Sequence, residues 1–450
     1  MTLTPSYEVQ NALARLATLG TEHLWIAYTD YNGRTQSKSV PASRFESALS
    51  GGPSFAKANL DFNLLDHMAD GGIFTAETGD FIAHPDLSTL APVPYRPGVA
   101  RALTWMLDEQ GDHWAGCPRH ALQRQIDAYA ERGIVVKAAY EPELCLFRRL
   151  ENGEIVPADS TGMFTLDGLD THAELFGEIS TSLEQMGIAV EQVAPEYGPG
   201  QIEINIRPAE ALKAADDLVT LQDVVKAIAR KHGLIGSFMP KPFESAAGSG
   251  LHIHLSLWSS DGKTELMADP SAVNGLSQMG LSFIAGLLNH SRALTGLGAP
   301  TVNSYKRLLP GSWSPAHAVW GIGSRAAMIR VPGVNRPRVE VRCGDNTTQP
   351  YLFLAGILAA GLDGIASGEQ PPAPPTIDVG HLTDAEVSEL GYQYLPRNAP
   401  EALDAVEADS VIGAALGQPI LGEWLKVKRS EASTYATVVS EWERQVYLGG

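Results

Sequence analysis

Four stretches of the chain alternate polar and apolar residues with a period of two. In "QIEINIRP" (201–208), Gln201, Glu203, Asn205 and Arg207 face one way while Ile202, Ile204 and Ile206 face the other, as side chains do along a β-strand. "EPELCLF" sets Glu141 and Glu143 against Leu144 and Leu146. "LHIHLSLW" sets His252, His254, Ser256 and Trp258 against Leu251, Ile253, Leu255 and Leu257. "RVEVR" sets Arg338, Glu340 and Arg342 against Val339 and Val341. Amphipathic helices are predicted between these strands, for instance "ALKAADDLVTLQDVVKAIARKHG" (211–233). A single strand of this kind is ordinarily a solvated sheet face. With four, the helices take the apolar faces and the polar faces turn toward one another across a curved sheet. The shared concavity would hold Glu141, Glu143, Glu203, His252, Glu340 and several arginines. Buried charges are costly unless paired, so this concavity calls for cations and anions among them.

The remaining pattern divides the chain. Val9, Leu13 and Leu16 fall at helical spacing, predicting a helix over 8–19. Asn32-Gly33 stands between two strand-like runs, a hairpin signal. "DFIAHPDLSTLAPVPYRPG" reads as extended, and "CPRHALQRQIDAYAERG" as a helix ending at Gly133. The domain boundary falls near residue 112, with a small β-rich domain at 1–112 and a large α/β remainder at 113–450. "GEQPPAPPT" (368–376) is a Pro-rich loop.

Composition narrows the partners. A net charge of −19 argues against non-specific binding to nucleic acid or to an anionic membrane. Cys117, Cys145 and Cys343 have neither metal-ligand spacing nor a disulfide framework, which fits buried apolar residues in a reducing compartment. The N-terminus lacks an apolar signal core, and the longest apolar run, "YLFLAGILAAGL", stops at Asp363, short of a bilayer span. A cytoplasmic protein is expected.

Carboxylates with one imidazole suit hard divalent cations such as Mg²⁺ or Mn²⁺. Arg307, Arg325, Arg330 and Arg342 add planar donors for phosphate and carboxylate oxygens. Together these are the equipment of phosphoryl transfer. The usual nucleotide motifs are absent. "DGKT" (261–264) imitates the end of a P-loop, but Leu257 stands where its first glycine belongs. "GIGSRA" (321–326) imitates a dinucleotide fingerprint, but Pro332 leaves no room for the required helix.

"EPELCLF", "EYGPGQIEINIR", "FMPKPF", "GSGLHIHLSL", "NSYKRLLPG" and "RVEVRCGDNTTQPYLFLAGILAAGLDGI", in this order, resemble the glutamine synthetase family almost end to end, and closest in character the glutamate–amine ligases. The resemblance implies an α+β fold: a β-grasp-like N-terminal domain, then a catalytic domain with a curved antiparallel sheet. It also implies ATP as co-substrate, two or three Mg²⁺ or Mn²⁺ ions per site, and dodecamers of two hexameric rings with active sites between subunits. In such enzymes ATP phosphorylates the side-chain carboxylate of glutamate, and a nitrogen nucleophile displaces the phosphate. Carried over by position, Glu143, Glu196 and Glu203 resemble the first metal's ligands, and Glu141, His252 and Glu340 the second's. Arg307, Arg342, Gly248 and Glu143 match the glutamate site, and Arg325 and Arg330 the arginines facing the transferring phosphate. Glu191, His254, Ser256 and Arg338 align with the nucleotide pocket. His254 as a satisfied structural histidine and Arg338 as a surface ion pair are the competing readings.

Three departures bear on function. Where the family reads Phe-Asp-Gly-Ser-Ser, with an aspartate that binds ammonium from the adjacent subunit, this chain has "SFAKANL" and Ala56. Where the family's flap carries a glutamate that takes the ammonium proton, this chain reads "PGSWSP" (310–315) and has Trp313. Ala247 replaces the asparagine before Gly-Ser-Gly. A methyl and an indole in place of two carboxylates favour an organic amine, since each buried methylene is worth about 0.8 kcal/mol. An arylamine is already neutral at pH 7 and could stack on Trp313. An alkylamine needs a proton acceptor, for which Asp80 in "ETGDF" is the candidate, a structural ion pair being its alternative role. The expected activity is an ATP-dependent glutamate–amine ligase. The alternatives are a true glutamine synthetase using ammonium, a non-catalytic scaffold, or a ligase for another acid, since Ala247 alters the glutamate loop. Tyr392 and Tyr394 are loop tyrosines with no legible regulatory role.

Overall fold

The alternating stretches assemble into two sheets in a computed structural model that describes residues 6–333 and 338–449. The first sheet comprises β1 (His23–Thr29), β2 (Thr35–Pro41), β3 (Ser54–Ala56), β4 (Asp80–Pro85), β5 (Ala91–Pro92) and β6 (Val99–Leu107), in the order β2-β1-β6-β4-β3 with β5 on β6. The hairpin expected at Asn32-Gly33 joins β1 to β2, and the Asp30 carboxylate accepts from the backbone N–H of both Asn32 and Arg34 at 2.9 Å. The tip is docked. Asn32 donates to the Phe62 carbonyl at 2.7 Å and accepts from Lys428 Nζ at 2.6 Å. Gly33, at φ +77°, brings its backbone so close to the Thr348 carbonyl that a Cβ would lie 2.6 Å from the oxygen.

The second sheet is built on one long strand. β7 (Ile134–Arg149) pairs with β8 (Ile155–Pro157), β10 (Gln201–Ile206), β11 (Ala209–Glu210), β12 (Ile235–Ser237) and β13 (Leu251–Ser259). The sheet extends through β9 (Val190–Pro195) at one end and through β14 (Trp320–Ile322), β15 (Ile329–Val331) and β16 (Val339–Gly344) at the other, in the order β14-β15-β16-β13-β7-β10-β9. The expected α+β architecture with an antiparallel catalytic sheet is found; within that sheet β14 and β15 depart from it by pairing parallel. "DGKT" is a turn closed by Ser259 N–H donating to the Thr264 carbonyl at 2.8 Å, and "GIGSRA" spans the end of β14 and its connection to β15.

Helices cover the apolar faces, as the alternation requires. Leu144, Leu146, Ile202, Ile204 and Ile206 pack with Ile179 and Leu183 of the helix Ala173–Gln185 and with Leu221, Val225 and Ile228 of the helix Ala211–Lys231. At the other end Tyr140, Ile253, Val339 and Val341 share a core with Phe283 of the helix Gln278–Asn289 and Phe353 of the helix Pro350–Ser367. That core runs on into Ile26, Phe81 and Ala102 of the first sheet. Each large apolar side chain so buried stabilises by about 1.5–3 kcal/mol.

The apolar run at 351–362 corrects one expectation. Its helix, Pro350–Ser367, has 18 residues and is apolar enough to cross a membrane by length and composition, but 72% of it is buried inside the protein. Packing, not length, gives it its role. It crosses the helix Gln278–Asn289 at two glycines: a Cβ on Gly364 would sit 2.1 Å from the Ser282 carbonyl, and one on Gly286 2.1 Å from the Ala360 carbonyl. Gly364→Ala is therefore expected to force these helices apart, destabilising by about 1–3 kcal/mol, and a urea denaturation midpoint equal to wild type would contradict this packing.

Candidate active site

The register of β7 brings the acids together. Glu141 stands opposite His252 on β13, and Glu143 opposite Glu203 on β10. On the far edge of β13, β16 places Glu340 opposite His254, and β15 places Arg330 opposite Glu340. Ligand atoms of Glu141, His252 and Glu340 all lie within 4.8 Å of one another, as do those of Glu143, Glu203 and His252. The two groups share His252, which the sequence-based division into separate sets did not anticipate. Glu196, expected beside Glu143 and Glu203, lies just beyond β9 and outside the tight group; its Oε2 accepts from Tyr197 N–H at 3.3 Å.

Charge is partly compensated. Glu141 accepts from or shares protons with His252 Nδ1 at 3.2 Å and His254 Nε2 at 3.1 Å. Burial works to raise its pKa, but these two contacts outweigh burial and hold it well below the usual carboxylate range. Glu340, fully buried, is bonded by Arg330 Nη1 at 2.7 Å and by Arg342 Nη1. Burial again opposes ionisation, and His252, Arg342, His254 and Arg330 together keep it lowered. The other acids lack such partners. Glu203 is pushed up to about 9 by burial and then by the charges of Glu141, Glu143 and Glu196; Glu196 rises to about 7 through burial and the charge of Glu143. Five carboxylates and an imidazole, two of the carboxylates unable to ionise comfortably, form a donor set that fits hard divalent cations.

Arg307 is 4% exposed and reaches the Gly344 carbonyl at 2.7 Å and Ser314 Oγ at 3.2 Å, leaving its Nε unpaired. Gly248 is what lets it in, since a Cβ there would meet Arg307 Cγ at 2.5 Å. Arg330 also keeps an unpaired, buried Nε. Arg325 is exposed and offers its backbone carbonyl to Arg342 Nε at 3.1 Å. Unsatisfied guanidinium donors beside a carboxylate cluster suit an anionic substrate.

Three supporting residues escaped the sequence reading. Gln201 Nε2 bridges Glu143 Oε2 at 3.2 Å and the Gly248 carbonyl at 3.0 Å. Asn205 donates to Glu203 Oε1 at 3.0 Å. Asn346 donates to the carbonyls of Glu143 and Gly250, each at 3.0 Å. The first two lie on the polar face of "QIEINIRP", where the alternation could have suggested them; Asn346 comes from the "GDNTTQP" loop after β16 and had no local signal.

The expected nucleotide residues do not all meet. Arg338 Nε donates to His254 Nδ1 at 3.2 Å, so both His254 nitrogens have partners, and Arg338 makes no carboxylate ion pair among the described residues. Ser256 Oγ accepts from Trp258 Nε1 at 2.9 Å. Glu191 sits on β9, separated from β13 by β7 and β10, with Arg207 3.9 Å away. The amine-site candidates lie elsewhere again. Ala56 and Asp80 face each other in the β3–β4 register, both exposed, and Asp80 makes no ion pair among the described residues. Trp313 is 66% exposed, with φ +57°, a left-handed conformation rare for a bulky residue. Its loop is anchored by Ser314 on Arg307 and by Ser312 Oγ donating to the Arg307 carbonyl at 3.0 Å.

Residues 115–447 match the family model described as glutamine synthetase, catalytic domain. A glutamine synthetase from Methanocaldococcus jannaschii is 38% identical over 385 residues, 84% of this chain and 85% of that one. Another from Pyrococcus abyssi is 36% identical over 446 residues, 96% and 98% respectively. Among solved structures, a "GmaS/ADP complex" superposes with a TM-score of 0.88 at 32% identity, covering 98% of this chain and 99% of that one. A "novel glutamine synthase homolog" gives 0.83 at 30%, covering 93% and 96%. Fold and site thus define an ATP-dependent ligase that works with divalent metal ions on a carboxylic acid. The chain belongs to the glutamine synthetase family.

Folded Glu203 and Glu196 bind protons more tightly than at the ordinary value of 4.5. Without a divalent cation, their contribution to stability falls as pH rises from about 4.5 toward 9. A cation must displace those protons, so adding one at pH 7 in weak buffer is expected to release protons and raise the Tm, with a larger rise at pH 8.5 than at pH 6. A titration with no proton release, or one unchanged by Glu203→Gln, would count against the site.

Proposed function

We propose that this ligase joins an organic amine to the γ-carboxylate of L-glutamate through γ-glutamyl phosphate, giving a γ-glutamylamide, ADP and phosphate. The carrying observation is Trp313: an exposed, strained indole on a loop fixed to Arg307, where the family's flap has a glutamate. The likeness to the solved GmaS structures, one of them a complex with ADP, supports an ATP-using ligase of this shape.

Arg307 and Arg342, with Gly248, would hold glutamate by its carboxylates, Glu143 lying alongside. Arg325 and Arg330 would steady the phosphoryl group as the bond from its phosphorus to the β–γ bridging oxygen breaks, that oxygen leaving with ADP, and its bond to the glutamate carboxylate forms. Glu191, His254, Ser256 and Arg338 would line the nucleotide. Two or three Mg²⁺ or Mn²⁺ ions, held by Glu143, Glu196 and Glu203 and by Glu141, His252 and Glu340, would neutralise phosphate charge. An alkylammonium would first give a proton to Asp80; the freed amine nitrogen then attacks the acyl carbon, phosphate leaves, and the nitrogen gives up its second proton to the departing phosphate. Ala56 on the edge strand β3 and Asp80 opposite it on β4 are both exposed, and they would serve a neighbouring subunit's site, as in a dodecamer of two hexameric rings. Three buried, unpaired cysteines support a cytoplasmic setting.

Glutamine synthesis from ammonium is the second reading. It is favoured by the names of the curated relatives and by Asp80, which keeps one carboxylate across from Ala56. A non-catalytic scaffold is disfavoured because all six carboxylate and imidazole candidates are retained.

ADP release with glutamate and a panel of ammonium, methylamine, ethanolamine, isopropylamine, polyamines and aniline decides between them. Organic amines are expected to turn over well above ammonium, and turnover with ammonium alone would sink the proposal. The double variant A56D/W313E is expected to shift the preference back toward ammonium. Arg307→Ala is expected to raise the KM for glutamate about 10- to 100-fold, the loss of a charge-assisted hydrogen-bond pair, while an unchanged KM would remove Arg307 from the glutamate site.

A further inference from the structure

Only three described residues other than glycine have a left-handed backbone: Asp66, Phe164 and Trp313. Aspartate tolerates that conformation; large aromatic residues rarely do, and such strain persists where the surroundings impose it. Both aromatic rings are nonetheless in water, Phe164 at 62% and Trp313 at 66% exposed. Strain spent on presenting an apolar ring to solvent stabilises nothing within the subunit, which points to something outside it that the ring meets.

Phe164 is held at the edge of the carboxylate cluster. Its N–H donates to the Pro195 carbonyl at 3.0 Å, and Pro195 precedes Glu196. The loop behind it is clamped at its base. Asp159 accepts from Thr161 N–H at 2.9 Å and Oγ1 at 2.7 Å, and bonds His172 Nε2 at 2.7 Å. Thr165 caps the helix Leu166–Thr171 by accepting from Gly168 N–H at 3.2 Å, and the bare Gly168 lies against Pro195. Four large apolar side chains in and beside these segments are exposed, Met163, Phe164, Leu166 and Tyr197, with the exposed acid Asp167 next to Leu166. Acids within and a rigid hydrocarbon rim without suit a molecule with one polar, reacting end and an apolar body.

We infer that Phe164 is a specificity-determining residue, its ring forming an apolar wall at the mouth of the carboxylate site against which the hydrocarbon body of the amine is held. This rests on the organic-amine reading above and adds the residue that would select among amines by size and apolarity. Phe164 takes no part in phosphoryl transfer.

Phe164→Gly tests it, because glycine is at ease at positive φ and the loop keeps its shape without the ring. KM values are measured for methylamine, isopropylamine and benzylamine, with glutamate and ATP as internal controls. The expected result is a KM increase of about threefold to tenfold for isopropylamine and benzylamine, the worth of an aromatic contact. Methylamine changes less, glutamate and ATP do not change, and Phe164→Leu recovers part of the loss. Equal effects on all three amines, or none, overturn the inference while leaving the ligase assignment intact. So does a change in assembly size with unaltered amine ratios, which would make the rim a contact between copies of the chain. Wild-type enzyme that accepts ammonium alone overturns the ligase reading itself, before any variant is made.

Discussion

Mutual repulsion among carboxylates on neighbouring strands is the constraint to which the rest of the molecule answers. Backbone pairing puts Glu143 beside Glu203 and Glu141 beside His252 whatever their charges prefer, and strand spacing of about 4.8 Å leaves them no room to part. The protein neutralises one side of the cluster itself, with two histidines on Glu141 and two arginines on Glu340. It leaves the other side, Glu203 and Glu196, in deficit. Such asymmetry is a way to store affinity for a cation, because whatever positive charge enters relieves a repulsion that folding has already imposed.

That arrangement was legible in the sequence because β-strands have so simple a period. Four polar faces with apolar reverse sides announced a sheet covered by helices on one side and working on the other, and the packing of Leu144, Ile204 and Ile228 follows from it. Register was less accessible. Nothing local says that Glu141 pairs with His252, 111 residues away, or that Ala56 meets Asp80; both depend on how sheets close. The alternation put Glu141 and His252 in one concavity, and the family likeness supplied the rest. Of the two metal groups, Glu141, His252 and Glu340 come together as one set, while His252 also joins Glu143 and Glu203 and Glu196 stands outside the tight group; that sharing depends on register, which no local pattern encodes. Gln201 lies on the polar face that the alternation marks but, being uncharged, was given no role, and Asn346 had no signal at all, yet these two fix the rotamer and backbone of Glu143.

Strain supplied a different kind of information. A tryptophan or phenylalanine in the left-handed region cannot be read from composition, since neither residue type favours it. Their placement on loops pinned to Arg307 and Pro195 separates the molecule into a rigid charged floor, made by strands, and a rim whose chemistry is set by a few loop side chains. Under the function proposed above, selectivity for the amine would change by substitution in these loops while the charged floor is left alone.

The docked hairpin has a consequence of its own. Its tip touches Thr348 with Gly33 and, through the Asp30 carbonyl, Gln349 Nε2 at 3.4 Å. Two residues earlier in that loop, Asn346 grips the backbone of Glu143. The five-residue turn Asp30–Arg34 is thus a spacer between the N-terminal sheet and the strand that carries the acids. Its length is a matter of calibration: one residue more or fewer would shift Thr348 and Gln349 and so reach the backbone of Glu143 as a change in distance.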